Sequence, residues 1–328
     1  MKIFHLFSNF KFTGPADPAL LLAKSQQDHG ADVTFFCGLP NGDQPQHLSS
    51  QTKQRGLKCD SELKLSKHFS LSSLIGDIPK LRKKISLQKP DVIHCHLPGD
   101  HLLACLARGT TGPRIIKSQY QLEPPNTLRS QFCRRRTDLW ISPTSAATEQ
   151  LIQWGAPSDS LLQLHPPVDL KRFQPRLTKP ETEKNSSQIR VGVVARMQRH
   201  RRFPELIEAF TIAAAEDSRL HLEILGRGTH QTEVAKSPAS MSPYSDRIHF
   251  PGYISPEDYP DRLAQFDLLV FLVPGSDGTC RAAREALACG IPVISSRRGL
   301  LPELIPSNGG ILLKDESPRS ISEAILLL

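Results

Sequence analysis

Several features that mark whole classes of protein are missing from this chain. None of its apolar runs approaches the ~20 residues that cross a bilayer as a helix, so no membrane-spanning helix is expected. The opening MKIFHLFSNF has neither a sustained apolar stretch nor a small-residue cleavage site. It reads as a first strand rather than a secretion signal. The seven cysteines are scattered and odd in number, which excludes a complete disulfide framework and suits a reducing, cytoplasmic compartment. No G-x-G-x-x-G follows the first apolar run, which argues against a nicotinamide-dependent dehydrogenase. No Asp-x-Asp pair occurs, so no carboxylate pair stands ready for Mg²⁺.

What is present fits a water-exposed globular protein. The 328 residues suffice for two domains of ordinary size, and 38% hydrophobic with 23% charged residues is a common balance. The net charge of +8 lies entirely in the first part of the chain. Residues 1–150 carry 20 Lys and Arg against 12 Asp and Glu, whereas residues 151–328 carry 21 of each. The excess concentrates between Lys53 and Lys89 and again at Arg134, Arg135 and Arg136. Such a surface can meet anionic lipid, an anionic glycan or nucleic acid, or can be a solvated face.

Short β-rich apolar runs alternate with helical stretches. Strands are expected at 2–7, 32–37, 91–96, 114–117 and 139–142, and helices at 19–29 and 78–88, with Pro79 in the first turn of the latter. Pro98-Gly99 reads as the close of the strand at 91–96. The rhythm breaks over 170–188, a polar segment with Pro175 and Pro180. It resumes with strands at 189–195, 220–225, 248–251, 268–272 and 291–295, and helices at 203–216, 256–264 and 282–288. A βαβα order predicts parallel sheets wrapped by helices. The expected architecture is α/β: two Rossmann-like, doubly wound domains, 1–170 and 189–328, joined by a linker at 171–188 and facing across a cleft.

The segment 274–294, PGSDGTCRAAREALACGIPVI, carries the most chemistry. A strand runs into a small-residue turn that opens a helix, with Ser276 or Asp277 able to cap it. Gly290 ends the helix. Backbone N–H groups of Gly278, Thr279 and Cys280 at the helix start suit an anion such as phosphate. Glu285 can either pair with Arg281 one turn away or accept the hydroxyls of a ribose.

This segment resembles the E-x7-E signature of the retaining GT-B glycosyltransferases, family 4 in particular. Asp277 stands in the first acidic position and Glu285 in the second, followed by "EALACGIPVI"; Gly299-Leu300-Leu301-Pro302-Glu303 resembles the family's GG-x-PE element. Val191–Arg196 is similar to the family's strand-and-Arg element, and Arg201 stands where the family has a Lys. The resemblance implies that Arg196 and Arg201 grip a donor diphosphate, with Asp277 toward the donor sugar; the same arginines can also belong to a solvated turn. Gly226, in Ile224–Gly228, matches the glycine turn of the donor domain, and Tyr253 lies in the segment beside the nucleobase. In the N-terminal half, Gly14 resembles the glycine loop near the donor phosphates. Asp91–His96 resembles the "DVIHAH" strand, which places His96 on the acceptor side. His94 and His96 share a strand face, but no third metal ligand is evident and no metal is expected. The family's further histidine has no counterpart at 117–120, and Glu123 is the nearest titratable group. Leu139–Ser145 and Leu164–Phe173 resemble the stretches that lead into the interdomain linker. The chain ends within a helical segment at 318–328, where family members continue into a crossover helix.

The resemblance therefore implies a glycosyltransferase that takes a nucleotide-sugar donor, needs no cofactor or metal, and acts with retention on a glycan or lipid-linked acceptor. Its setting would be cell-envelope polysaccharide or lipopolysaccharide synthesis. The expected location is cytoplasmic, peripheral at an anionic membrane surface, with no nucleic-acid partner. The alternatives are an epimerase or phosphorylase on the same fold, or a catalytically weak nucleotide-sugar binding protein.

Overall fold

A computed structural model describes residues 1–38, 47–124, 126–175, 188–274 and 278–328. It divides into two compact units, Met1–Pro167 and Val168–Leu328.

The first unit holds seven parallel strands: β1 (Lys2–Phe7), β2 (Asp32–Cys37), β3 (Lys58–Asp60), β4 (Val92–Cys95), β5 (Arg114–Ser118), β6 (Leu139–Ser142) and β7 (Leu161–Gln163). Their order is β3-β2-β1-β4-β5-β6-β7. The chain winds outward from β1 in one direction and resumes at β4 in the other, which puts the switch point between β1 and β4. β1 is buried from Ile3 to Phe7. Burial on both faces explains its near-continuous apolar reading, which His5 alone interrupts. The helices are α1 (Ala16–Asp28), α2 (Leu48–Gln54), α3 (Leu71–Gln88), α4 (Pro98–Ala107), α5 (Leu128–Arg134) and α6 (Ser145–Gln153).

Two readings of this half are corrected. α3 begins at Leu71, where the Ser70 hydroxyl accepts the Ser73 N–H, so Pro79 lies in the helix interior rather than its first turn. Pro98-Gly99 opens α4 instead of closing a strand: proline is tolerated at the first helical position, whose N–H has no intrahelical partner.

The second unit repeats the plan with β8 (Ile189–Val194), β9 (Leu220–Leu225), β10 (Ile248–Gly252), β11 (Leu268–Phe271), β12 (Val293–Ser295) and β13 (Gly310–Leu312), in the order β10-β9-β8-β11-β12-β13 and all parallel. Its switch point lies between β8 and β11. The helices are α7 (Phe203–Glu216), α8 (Ser237–Met241), α9 (Tyr259–Leu263), α10 (Arg281–Ala288), α11 (Leu301–Leu304) and α12 (Pro318–Leu327). Phe173 is buried with Leu225, Leu263 and Phe266, so the polar segment begins inside the core of this unit. Residues 176–187 of the expected linker lie outside the described residues. Among the described residues, no helix is long and apolar enough to cross a membrane.

Candidate active site

In doubly wound sheets, loops at the switch point splay apart beyond the carboxyl ends of the strands and leave room for a ligand. In the second unit those are the loops after β8 and β11. The turn after β8 is laced to its neighbours: the Ala195 N–H donates to the Leu225 carbonyl at 3.1 Å, Met197 N–H to Arg227 at 3.3 Å and Gly226 N–H to Gly252 at 2.8 Å. Only glycine allows this approach. Gly226 has φ of +131°, and a Cβ there would stand 2.3 Å from the Ala195 carbonyl oxygen. The expected cation run separates in the structure. Arg199 pairs with Glu233 at 3.0 Å, and Arg202 with Glu205 at 3.1 Å and Glu316 at 3.2 Å. Arg196 stays exposed. Arg201 turns toward the switch point, its Nη1 donating to the Val273 carbonyl at 2.5 Å, just beyond β11. Tyr253, beyond β10, is exposed, with the Arg227 guanidinium 4.5 Å from its ring centroid.

The residues just before α10 have an unusual backbone. Gly278 and Cys280 both take left-handed conformations, at φ of +66° and +47°. Thr279 and Cys280 are buried, and the Thr279 carbonyl accepts Nε of the buried Arg284 at 2.8 Å. Cys280 stands at the helix N-cap, its Sγ donating to the Gly278 carbonyl at 3.7 Å. The capping candidates Ser276 and Asp277, and with them the expected catalytic role of Asp277, lie outside the described residues. Glu285 is 2% exposed: Oε1 accepts Arg281 Nε at 2.7 Å and Oε2 accepts the Tyr259 hydroxyl at 2.9 Å. Burial, reinforced by the adjacent carboxylate, holds the Tyr259 hydroxyl well above its ordinary pKa, so it acts as a neutral donor. The pairing with Arg281 is therefore real. A carboxylate offers about four lone-pair sites and can accept from several donors at once. Tyr259 was not foreseen, because its contact with Glu285 spans separate elements and leaves no local pattern.

In the first unit the switch-point loops carry Gly14, in the turn before α1, and His96, just after β4. Asp100 ties the two strand ends together, accepting backbone N–H groups of Ser8 at 2.8 Å, His96 at 3.1 Å and Leu97 at 3.0 Å. Burial pushes its carboxyl up to about 7, against these N–H groups and Lys117, which favour the charged form. Lys117 Nζ donates to the carbonyls of His96 at 2.9 Å and Ser118 at 2.5 Å.

His96 is one link in a chain of side chains. Its Nδ1 lies 2.8 Å from the Tyr120 hydroxyl and its Nε2 2.9 Å from His5 Nδ1, while His5 Nε2 lies 2.7 Å from Gln26 Oε1. With Gln26 oxygen able only to accept, the protons order themselves: Tyr120 donates to His96, His96 to His5 and His5 to Gln26. Burial holds the pKa of His5 down to about 4 and those of His94 and His96 well below the ordinary value, so all three rings are neutral. His5 supplies the third histidine that the sequence did not reveal. It pairs with His94 across β1 and β4, and the ring nitrogens of His5, His94 and His96 lie within 4.8 Å of one another. The rings stack, however, with interplanar angles of 26°, 14° and 13°. Imidazole lone pairs lie in the ring plane, so stacked rings direct them side by side rather than toward one ion. The arrangement is a hydrogen-bonded ladder. It fixes Tyr120, which with Leu21, Leu22, Ile141 and Pro143 lines a cavity of about 150 Å³. Glu123 is exposed, and its backbone carbonyl accepts Gln119 Nε2 at 3.2 Å.

Comparison with known proteins agrees with this two-unit geometry. Residues 19–172 match the family described as Glycosyltransferase Family 4, and residues 176–328 that described as Glycosyl transferases group 1. A GDP-mannose-dependent alpha-(1-6)-phosphatidylinositol dimannoside mannosyltransferase of Mycobacterium tuberculosis is 28% identical over 60% of this chain and 51% of its own length. A sulfoquinovosyl transferase of Arabidopsis thaliana is 23% identical over 70% of this chain and 47% of its own. The chain spans about half the length of the curated relatives it matches. The crystal structure of Anabaena HepE in complex with UDP superposes with a TM-score of 0.79, covering 99% of this chain and 89% of that one at 17% identity, a likeness of fold. The chain thus carries two glycosyltransferase family domains, one on each sheet, in a GT-B-like fold of transferase enzymes.

Proposed function

We propose that this chain moves a sugar from a nucleotide-sugar donor to a glycan or lipid-linked acceptor, with retention and without a metal, in the synthesis of cell-envelope polysaccharide or glycolipid. One observation carries the reading: Arg201 reaches across the switch point of the second sheet to the Val273 carbonyl just beyond β11, and Glu285 is buried on α10. Arg196 and Arg201 are the cations for the donor diphosphate. Negative charge grows there as the sugar bond breaks, so fixed cations act most strongly in the transition state. Glu285, oriented by Arg281 and Tyr259, takes the ribose hydroxyls. Backbone N–H groups of Gly278, Thr279 and Cys280 face the phosphates, Gly226 permits close approach, and Tyr253 lies beside the base. The departing diphosphate takes the acceptor proton. The named substrates of the relatives support this reading: one is GDP-mannose-dependent and acts on a phosphatidylinositol dimannoside, and HepE was crystallised with UDP.

The basic first half favours work at the cytoplasmic face of an anionic membrane. The direct test is product analysis with a panel of nucleotide sugars, with and without acceptor. Sugar transfer that requires the acceptor and keeps the anomeric configuration is expected. Epimerised free donor, or donor binding with no turnover under any acceptor, would overturn the proposal.

A further inference from the structure

Apolar side chains stand in solvent at two helix starts of the first unit. Phe69 precedes the Ser70 cap of α3, and Leu71 and Ile75 follow one turn apart, all exposed. α5 presents Leu128 and Phe132 in the same spacing, with Leu128 91% exposed. The two groups form one patch, because the Arg129 guanidinium lies over the Phe69 ring at 3.9 Å. Scattered exposed hydrophobics are ordinary, but a contiguous set rimmed by charge marks an interaction surface. Both helices follow strands of a parallel sheet, so they begin at the carboxyl edge, the same edge that carries Gly14 and His96.

The charge around the patch decides what covers it. Lys64 and Lys67, just before Phe69, are exposed, and the later turns of α3 add exposed Lys80, Arg82 and Lys83, while Lys84 is taken up by Asp60 and Glu62; the one acid within α3 is Asp77. That acid is buried, its carboxylate accepting the backbone N–H groups of Lys64 and Leu65. Residues 127–136 hold Arg129, Arg134, Arg135 and Arg136 and no acid. A second copy of the chain would bring the same positive field and be repelled. An anionic bilayer offers both a negative surface and an apolar interior.

We propose that the starts of α3 and α5 form a membrane-docking face. Phe69, Leu71, Ile75 and Leu128 enter the interfacial layer of an anionic bilayer, the flanking cations meet its headgroups, and the carboxyl edge of the first sheet is brought to the lipid surface. This rests on the reading of the acceptor as lipid-linked.

The test is co-sedimentation of the full chain with vesicles of phosphatidylcholine, alone or mixed equally with phosphatidylglycerol. Binding to the mixed vesicles is expected, weak on pure phosphatidylcholine and reduced by salt. Ile75→Ser and Leu128→Ser should each lower the partition coefficient about tenfold, and Arg129→Ala about fivefold. All three side chains are exposed, so the melting temperature and transfer to a soluble acceptor analogue should not change. Equal binding to both vesicle types, no binding, or variants that partition like the parent would overturn the proposal. A concentration-dependent dimer dissolved by the same substitutions would overturn it in favour of self-association. Vesicle binding without sugar transfer would sink the transferase reading and leave the docking face standing; transfer without vesicle binding would do the reverse.

Discussion

At the switch point of the first sheet the ring side chains are neutral and sealed from water: His5, His94 and His96 are at most 1% exposed, His96 and His5 pass hydrogen bonds from Tyr120 to Gln26, and His94 pairs with Ser118. At the switch point of the second sheet the side chains are charged. Arg196 is open to solvent, Arg201 spans to the Val273 carbonyl, and Glu285 is held between Arg281 and Tyr259. The outer surfaces reverse the balance, since the whole net charge of +8 resides in residues 1–150. One topology thus serves two tasks. The second sheet concentrates charged side chains at its switch point, whereas the first lines its switch point with neutral rings, held by the buried Asp100 and Lys117 through backbone groups.

The comparison breaks most readily at the arginines. Replacing Arg196 or Arg201 by Ala should lower kcat by about 10²–10³-fold, the usual loss for one preorganised donor at developing charge. Steady-state kinetics on variants with an unchanged melting temperature checks this, and parental kcat in both would show them to be solvated surface groups. Next in size is Glu285→Ala, which should weaken nucleotide binding by about 1.5–3 kcal/mol, as expected for lost charged hydrogen bonds. Calorimetric titration with the nucleoside diphosphate measures it, and unchanged affinity would confine Glu285 to its pairing with Arg281.

A smaller effect sharpens the contrast from the other side. His5, His94, His96 and His101 are all held neutral by burial in the first unit, with His5 lowered to about 4. The unfolded chain binds protons on these groups near pH 6.5 and the folded chain does not. Their contribution is therefore complete above that pH and is lost as pH falls toward 4, by up to about 1.4 kcal/mol per pH unit for each histidine. Both tryptophans, Trp140 and Trp154, lie in the first unit, so fluorescence-detected urea unfolding reports this half selectively. A stability flat from pH 6.5 to 4.5 would show that the histidines are not neutral. Least of all should chelation matter: EDTA should leave transfer unchanged, and loss of activity restored by Mg²⁺ or Mn²⁺ would contradict the metal-independent mechanism.

The central strands of both sheets were legible in the sequence because burial leaves runs rich in apolar residues, near-continuous in 2–7, alternating in 220–225 and unbroken in 268–271. β3, β7 and β13 were not: each is a three-residue strand at a sheet edge, too short for any period to show. α4 was hidden behind its own Pro98, which reads as a stop but serves as a start. At the site, the arginines and Glu285 could be named because they sit in local motifs. His5, Tyr259 and Gln26 could not, because their roles depend on strand register and helix packing between distant segments.

The central claim is that the nucleotide part of the donor is recognised by the charged edge of the second sheet and not by the histidine ladder of the first. Titrating a nucleoside diphosphate into folded Arg201→Ala and His96→Ala proteins tests it most directly. The account predicts that Arg201→Ala loses about 1.5–3 kcal/mol of affinity, the worth of a charged hydrogen bond, while His96→Ala binds as the parent does. Parental affinity in Arg201→Ala together with loss in His96→Ala would contradict it.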